Sequence, residues 1–276
     1  MLLVARGIGE RLGQNTPMYV ANKIRADLSW VHGLPIVEVK ELDWPAEYGP
    51  FPKPHSQTSF NKSLKDLHTR LNGEVFDDGS TMYVLVGYSG GAAGMGDWLA
   101  KADPKQKALV LGAVLIADPS MPRDLCPPDP IIGEPRFGIR GDRHVDHVGV
   151  KWIFNPEDVI PCCPENSPIR LIATSSPDFA LADAMSWQTL PNKLAVRQAS
   201  LIMRAQIANV LNKKNAQEQI EAIRRQFDVA FRDAWGYLGG MEHTCYTVRG
   251  PYSSHPTWAA TAANHVTDLI LNTYRA

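Results

Sequence analysis

A serine flanked by glycines is the first feature of this sequence that could do chemistry. Residues 87–91 read Gly-Tyr-Ser-Gly-Gly, which matches the pattern G-x-S-x-G. The pattern follows an apolar run at 82–88 and precedes a helical pattern, so it predicts an abrupt strand-to-helix turn. Glycines suit that turn because the neighbouring backbone leaves no room for side chains. The turn would expose the hydroxyl of Ser89 as a nucleophile and direct the N–H of Gly90 towards a developing oxyanion.

A nucleophilic serine needs a histidine to take its proton and a carboxylate to orient that histidine. With this kind of turn, the order along the chain is serine, acid, histidine. We expect the acid to be Asp178, which follows the segment 169–175, interpreted as a strand. Asp183 is an alternative. Asp118 also ends a strand, but turn formation before the next proline explains it well, and helix capping is a competing explanation for Asp178.

The base should lie on a late loop that reaches back over the sheet. We expect His255, in a Gly/Pro/Ser-rich loop directly before the last helical pattern, and His243 is the alternative. His265 falls in the middle of a helix, from which it could not easily reach the serine. His144 and His147 have a spacing reminiscent of metal sites, but they lack further ligands and are interpreted as solvated. No metal or cofactor is therefore expected.

The second oxyanion donor should come from a loop after an early strand. Residues 4–10, Val-Ala-Arg-Gly-Ile-Gly-Glu, supply such a loop, and its glycines allow the backbone N–H groups to turn inward. We expect the N–H of Ile8 to be this donor. Arg6 and Glu10 are expected to brace the loop by an ion pair.

The elements that must position these residues alternate between strands and helices, which predicts an α/β fold with a parallel sheet and its site at the carboxyl ends of the strands. Strands are predicted at 2–6, 35–41, 82–88, 107–119 and 169–175. Helices are predicted at 59–71, 91–102 and after residue 256. Residues 120–167 are interpreted as irregular. We expect a single domain over 1–276, with a helical insertion or cap at 180–240.

Composition excludes several classes of protein. The 276 residues are 44% hydrophobic and 21% charged with a net charge of −1, which predicts neither a nucleic-acid partner nor an anionic membrane partner. No apolar run is long enough to span a bilayer, and the first residues do not resemble a signal peptide. The four cysteines are expected to be free thiols, with a disulfide between Cys126 and either Cys162 or Cys163 left open.

Taken together, these motifs resemble the cutinase-type serine esterases. The resemblance is closer to the lysin B family of mycobacteriophages, which are mycolylarabinogalactan esterases. It is carried by several features of the sequence: the early Ala-Arg-Gly-x-x-Glu loop, the strand-to-helix turn at residues 87–91 (the elbow), the stretches DWPAEYGPF, ADPSMPRD and FGIRGDR, and a helical stretch between acid and base. It covers most of the chain from residue 2 onward.

The resemblance implies an α/β-hydrolase fold of the cutinase type, with a central mostly parallel sheet and a helical insertion. Matched by position, it implies Ser89 as nucleophile, Asp178 as acid, His255 as base, and Ile8 and Gly90 as oxyanion donors, without a cofactor. The implied reaction is hydrolysis of the ester between mycolic acids and arabinogalactan, which detaches the outer membrane of the host at lysis. A general cutinase-like lipase or esterase acting on soluble acyl esters is the alternative.

Two features depart from the family pattern. Gly90 stands where cutinase-type enzymes often have Gln, although only the backbone N–H is needed there. The cysteine frame that brackets the acid in secreted cutinases is missing. We expect a monomer that is made in the host cytoplasm without a signal peptide and acts on the cell envelope, with no peptidoglycan-binding module ahead of the esterase.

Overall fold

A parallel five-stranded sheet forms the centre of the computed structural model, which describes residues 1–34, 37–48, 58–76, 78, 80–147, 149–175, 216–239 and 241–275. The spatial order is β2-β1-β3-β4-β6, and every neighbouring pair runs parallel. A separate antiparallel pair joins β5 to β7. The strands are β1 (Leu2–Ala5), β2 (Val39–Glu41), β3 (Tyr83–Tyr88), β4 (Val110–Ile116), β5 (Arg136–Phe137), β6 (Val150–Ile153) and β7 (Cys163–Pro164).

Helices cover both faces of this sheet. Side chains alternate along each strand, so Leu3 packs with α2 and α3 on one face while Leu2 packs with α1 and α7 on the other. This two-sided burial explains why β1, β3 and β4 read as continuous apolar runs. The helices are α1 (Thr16–Ala26, continued by a π-helical turn over Asp27–Val31), α2 (Phe60–Glu74), α3 (Gly90–Lys101), α4 (Pro104–Leu109), α5 (Pro168–Ser175), α6 (Ala216–Leu238) and α7 (Trp258–Arg275).

Most of the predicted elements are confirmed, including three of the strands and the helices α2, α3 and α7. The predicted strand at 169–175 is wrong, because Pro168–Ser175 forms α5. Its sequence contains a helix start: Ser167 accepts the N–H of Ile169 on its hydroxyl, and proline is favoured at the first helical position. The irregular interpretation of 120–167 is wrong at Val150–Ile153, which forms the edge strand β6 beside β4.

Other expectations fall partly or wholly outside the described residues. Of the predicted strand at 35–41, Val39–Glu41 forms β2, and residues 35–36 are not described. Of the predicted helical insertion at 180–240, Ala216–Leu238 is helical, and residues 180–215 are not described. None of the described helices is both long enough and apolar enough to cross a bilayer.

The expectation of four free thiols is wrong for two of them. Cys126 and Cys162 form a disulfide that closes 36 residues of chain, while Cys163 and Cys245 are free and buried. The bond lies in a small apolar cluster with Met121, to one side of the main sheet. It fastens the segment that follows β6 to the loop that follows β4.

The fold depends on a close crossing between the end of β1 and the start of α3. A Cβ on Gly91 would lie 2.1 Å from the carbonyl oxygen of Ala5. We predict that Gly91→Ala lowers the free energy of unfolding by about 1–3 kcal/mol, because the backbones must separate. Urea denaturation followed by circular dichroism measures the change.

The matched control is Gly73→Ala, at an exposed helical position with open space around the new methyl group. Alanine is favoured over glycine in a helix, so this variant should be neutral or more stable by up to ~1 kcal/mol. Equal denaturation midpoints for the two variants would contradict the crossing.

Candidate active site

Ser89 lies on a strained turn at the carboxyl end of β3. Its backbone has φ 50° and ψ −116°, a conformation that is uncommon for a residue with a side chain. The turn is fixed on both sides, because the N–H of Ser89 donates to the carbonyl of Ile116 in β4 and its carbonyl accepts the N–H of Ala93 in α3. The side chain is half-buried, and its hydroxyl faces a cavity at this edge of the sheet. The predicted strand-to-helix elbow is therefore present.

A histidine and an aspartate complete a chain of hydrogen bonds from Ser89. The Nε2 atom of His243 lies 2.9 Å from Ser89 Oγ, and its Nδ1 atom lies 2.7 Å from Asp158 Oδ2. A carboxylate can only accept, so Nδ1 carries the proton and Nε2 is left to accept the serine hydroxyl. The side chain of Asp158 is fully buried and that of His243 is 9% exposed. The arrangement has the geometry of a serine–histidine–acid triad.

Asp158 is carried on a tight turn that follows β6. Its N–H donates to the carbonyl of Asn155, and its own carbonyl accepts the N–H of Cys162, the disulfide-bonded cysteine. Its Oδ1 atom accepts the N–H of Ile160 at 2.9 Å. The carboxylate is therefore oriented by its own turn, which is in turn fastened by the disulfide.

Two tyrosine rings fix the imidazole of His243. The Tyr88 ring stacks against it at 5.4 Å between ring centres, and the Tyr88 hydroxyl donates a short hydrogen bond to the His243 carbonyl. The Tyr237 ring lies at the same distance. Burial raises the pKa of the Tyr88 and Tyr237 hydroxyls well above the usual range, so both stay protonated at neutral pH.

The two predicted oxyanion donors lie side by side. A Cβ on Gly90 would come within 2.8 Å of the Ile8 side chain. Among the described residues, neither the N–H of Ile8 nor that of Gly90 donates to a protein acceptor. Gly90 also begins α3, whose N-terminal dipole favours negative charge in front of it.

The loop that carries Ile8 is braced differently from the prediction. Glu10 accepts the N–H of Gly7 at 2.7 Å on one oxygen, and the N–H and hydroxyl of Thr16 on the other. The predicted ion pair between Arg6 and Glu10 is wrong, because the Arg6 guanidinium donates to the carbonyl of Trp44. A carboxylate at the start of α1 suits the positive end of that helix, which explains why Glu10 turns there.

A cavity of about 390 Å³ opens onto Ser89 and His243. Its apolar wall is formed by Ile8, Tyr48, Phe60, Ile139, Ile160 and Ala173. Arg140 lies at the wall, with its guanidinium bonded to Asp97 and stacked over the Phe60 ring. The space beside the nucleophile is therefore mostly apolar, as an acyl chain would require.

The candidate site consists of the hydrogen-bonded chain and the two predicted oxyanion donors, and three of these five residues were first choices from the sequence. Ser89, Ile8 and Gly90 come together as expected, and Asp178 lies outside the described residues. The histidine that contacts Ser89 is His243, the alternative, so the assignment of His255 to that position is wrong. His255 lies on an exposed segment, with its Nδ1 atom 3.3 Å from the hydroxyl of the neighbouring Ser254.

The remaining candidates from the sequence, Asp118 and His265, take part in the fold and not in the contacts of Ser89. Asp118 accepts the N–H of Ser120 in a turn and also pairs with Arg143 and the Trp152 indole, which agrees with a turn-forming role. His265 lies within α7, as expected. Across the described ranges, no group of three or more His, Cys, Asp or Glu side chains could hold a metal ion.

Asp158 was missed because its strand was missed. The segment Val150–Ile153 is short and only partly apolar, since it is the edge strand of the sheet. The signal that could have found it is the Asn-Pro-Glu-Asp sequence at 155–158, a turn that directly follows three large apolar residues. Asp158 follows β6, the edge strand that pairs with β4 in the sheet.

A parallel sheet, a serine on a strand-to-helix turn, and a hydrogen-bonded serine, aspartate and histidine in that chain order are the arrangement of the α/β-hydrolase fold. The fold class predicted from the sequence is confirmed.

No family model matches the sequence, and no curated protein matches it either. Among solved structures, lysin B from Mycobacteriophage D29 is similar at 16% identity and a TM-score of 0.47, with 96% of this chain and 98% of that chain covered. The catalytic core domain of acetyl xylan esterase from Trichoderma reesei is similar at 18% identity and a TM-score of 0.43, over 64% and 90%. A cutinase-like protein from Cryptococcus sp. is similar at 22% identity and a TM-score of 0.35, over 48% of this chain and 59% of that one. The chain thus spans little more than half the length of the Cryptococcus protein.

The hydrogen-bonded chain predicts which residues make Ser89 reactive. A fluorophosphonate probe should label wild-type protein at Ser89 and should not label Ser89→Ala. His243→Ala should slow labelling by about 10⁴-fold or more, and Asp158→Asn by up to about 10⁴-fold, because the serine loses its base or the base loses its orientation. Peptide mapping identifies the adduct, and its time course gives the rate.

His255→Ala is the matched control, since it removes an imidazole from an exposed segment. It should label at the wild-type rate. Slow labelling of His255→Ala together with normal labelling of His243→Ala would reverse the assignment of the base.

Proposed function

We propose that this chain is a serine carboxylic-ester hydrolase in which Ser89, His243 and Asp158 form the catalytic triad. The observation that carries the proposal is the pair of contacts made by His243, 2.9 Å to Ser89 Oγ and 2.7 Å to Asp158 Oδ2. These distances suit proton transfer from the serine to the imidazole. The N–H groups of Ile8 and Gly90 are the proposed oxyanion donors.

The mechanism follows from the positions of these groups. His243 Nε2 takes the proton of Ser89 as the serine oxygen attacks the ester carbonyl, and Asp158 stabilises the imidazolium that forms. The carbonyl oxygen becomes an oxyanion, to which Ile8 and Gly90 donate; one such donor is worth roughly 3 kcal/mol of barrier. His243 then protonates the leaving alcohol. Water takes the place of the alcohol: His243 removes its proton as it attacks the acyl-enzyme, and Ser89 leaves with that proton as the carboxylic acid is released.

We further propose that the substrate is the ester between mycolic acids and arabinogalactan in the mycobacterial cell wall, cleaved during phage-mediated host lysis. The sequence motifs shared with the lysin B family support this substrate, and so does the apolar wall beside Ser89. On this proposal the enzyme acts as a monomer, without a cofactor, on the envelope of the host in which it is made.

A general esterase acting on soluble acyl esters is the second candidate. The observation that favours it is the size of the cavity, about 390 Å³ within the described residues, which suits a compact acyl group. The two candidates share the triad and differ only in the acyl chain and the alcohol.

Two assays on the same preparation separate the candidates. We expect wild-type protein to release mycolic acids from purified mycobacterial cell wall, measured by thin-layer chromatography or mass spectrometry, and to hydrolyse p-nitrophenyl esters. Ser89→Ala should fail in both assays, because the nucleophile is lost.

Hydrolysis of p-nitrophenyl esters without mycolic acid release would establish the general esterase. A folded protein that is inactive in both assays would overturn the proposed activity. The Ser89→Ala protein should keep the wild-type circular dichroism spectrum, so that its loss of activity is not a loss of fold.

A further inference from the structure

We propose that Tyr246 is a positioning residue for the acid of the triad, and that its hydroxyl fixes the carboxylate oxygen to which His243 is bonded. The Tyr246 hydroxyl lies 2.8 Å from Asp158 Oδ2, the same oxygen that accepts His243 Nδ1 at 2.7 Å. One carboxylate oxygen therefore receives both donors. The inference rests on the proposed serine hydrolase function and adds a fourth side chain to it.

The direction of the Tyr246 hydrogen bond follows from its other contact. The phenol oxygen accepts the backbone N–H of Asn155 at 3.0 Å. An N–H group can only donate, so the single hydroxyl proton of Tyr246 is left for Asp158. The side chain is buried, and burial together with the charge of Asp158 raises the tyrosine pKa well above its usual range. The phenol therefore remains a donor across the working pH range.

This contact matters because Asp158 Oδ2 has little else to orient it. The other oxygen, Oδ1, is bonded to the N–H of Ile160 within the acid's own turn. With Tyr246 present, both oxygens are held and Oδ2 faces the imidazole. Without it, the carboxylate could rotate about its last bond and give His243 Nδ1 a poorer acceptor, which lowers the rate of proton transfer.

Tyr246 and His243 lie three residues apart on the segment between α6 and α7. Their rings meet at an edge, with 6.5 Å between centres, and Tyr246 also contacts the Tyr88 ring at 5.7 Å. Tyr246 is not part of the cavity wall. Its loss should therefore change turnover without changing substrate binding.

The test is a kinetic comparison of Tyr246→Phe with wild type on a p-nitrophenyl ester. We expect kcat to fall about tenfold with KM unchanged, because a hydrogen bond to a charged group is lost at a site that does not touch substrate. The matched control is Tyr83→Phe, which removes the hydroxyl of another buried tyrosine. Tyr83 begins β3, at the end of the strand away from Ser89, so this variant should leave kcat at the wild-type value.

A double-mutant cycle separates positioning from a general structural effect. If Tyr246 acts through Asp158, then adding Tyr246→Phe to Asp158→Ala should change kcat by less than about twofold, because the partner is already absent. A tenfold loss in both backgrounds would overturn the proposal, and so would an unchanged kcat for Tyr246→Phe alone.

Two further variants keep the volume of the side chain in case phenylalanine destabilises the fold. Tyr246→4-aminophenylalanine keeps a donor at the para position and should retain most of the wild-type kcat. Tyr246→4-fluorophenylalanine fills the same space without a donor and should show the tenfold loss. Equal kcat values for these two variants would overturn the proposal.

Fluorophosphonate labelling of Ser89 tests the same proton transfer without an ester substrate. If wild-type protein is labelled but hydrolyses no ester, the proposed ester substrate fails, and the labelling rates of the Tyr246 variants decide the inference by the same comparisons. A wild-type protein that neither hydrolyses esters nor is labelled would overturn both.

Discussion

The crossing of α3 over the end of β1 is the constraint on which the rest of the site depends. At Gly91 the two backbones pass so closely that even a methyl group would meet the Ala5 carbonyl at 2.1 Å. The crossing forces the sharp turn at Ser89, with its positive φ, and brings the loop after β1 against the first residue of α3. One packing contact therefore positions Ser89, the proposed nucleophile, and both proposed oxyanion donors, because all three belong to the chain on either side of it.

Asp158 and His243, the proposed acid and base, are held near Ser89 by different means. Asp158 is a carboxylate without exposed side-chain surface, and such a group is tolerated only when its oxygens are bonded. Its donors come from its own turn, from His243 and from Tyr246. The histidine is fixed mainly by tyrosine rings and by the hydroxyl of Tyr88. Rigid packing thus positions the nucleophile, while a buried polar network positions its partners.

The residues positioned by local backbone packing could be predicted from the sequence, whereas those positioned by the polar network could not. The elbow and the loop of Ile8 are local patterns in which glycines and apolar runs directly reflect backbone contacts, and both were predicted. The acid depends on an edge strand, which is partly exposed and lacks the strong apolar signal of β3. Its nearest competitor, 169–175, is apolar enough for a strand, but it follows a serine and a proline that start a helix. The choice between His243 and His255 depends on how the segment between α6 and α7 folds back over the sheet. The sequence around each histidine does not specify that path.

The two side chains that bond to Asp158 Oδ2, those of His243 and Tyr246, share one short stretch of chain. His243 and Tyr246 both belong to the connection between α6 and α7, whereas Ile8, Ser89 and Gly90 directly follow the strands β1 and β3 of the sheet. Displacement of that connection would remove the proton acceptor and would at the same time loosen the carboxylate left behind. The serine and the groups that face the oxyanion would keep their positions. On the proposed mechanism, such a chain would still receive an ester and polarise its carbonyl but would not begin the attack, so docking and cleavage would be separable properties.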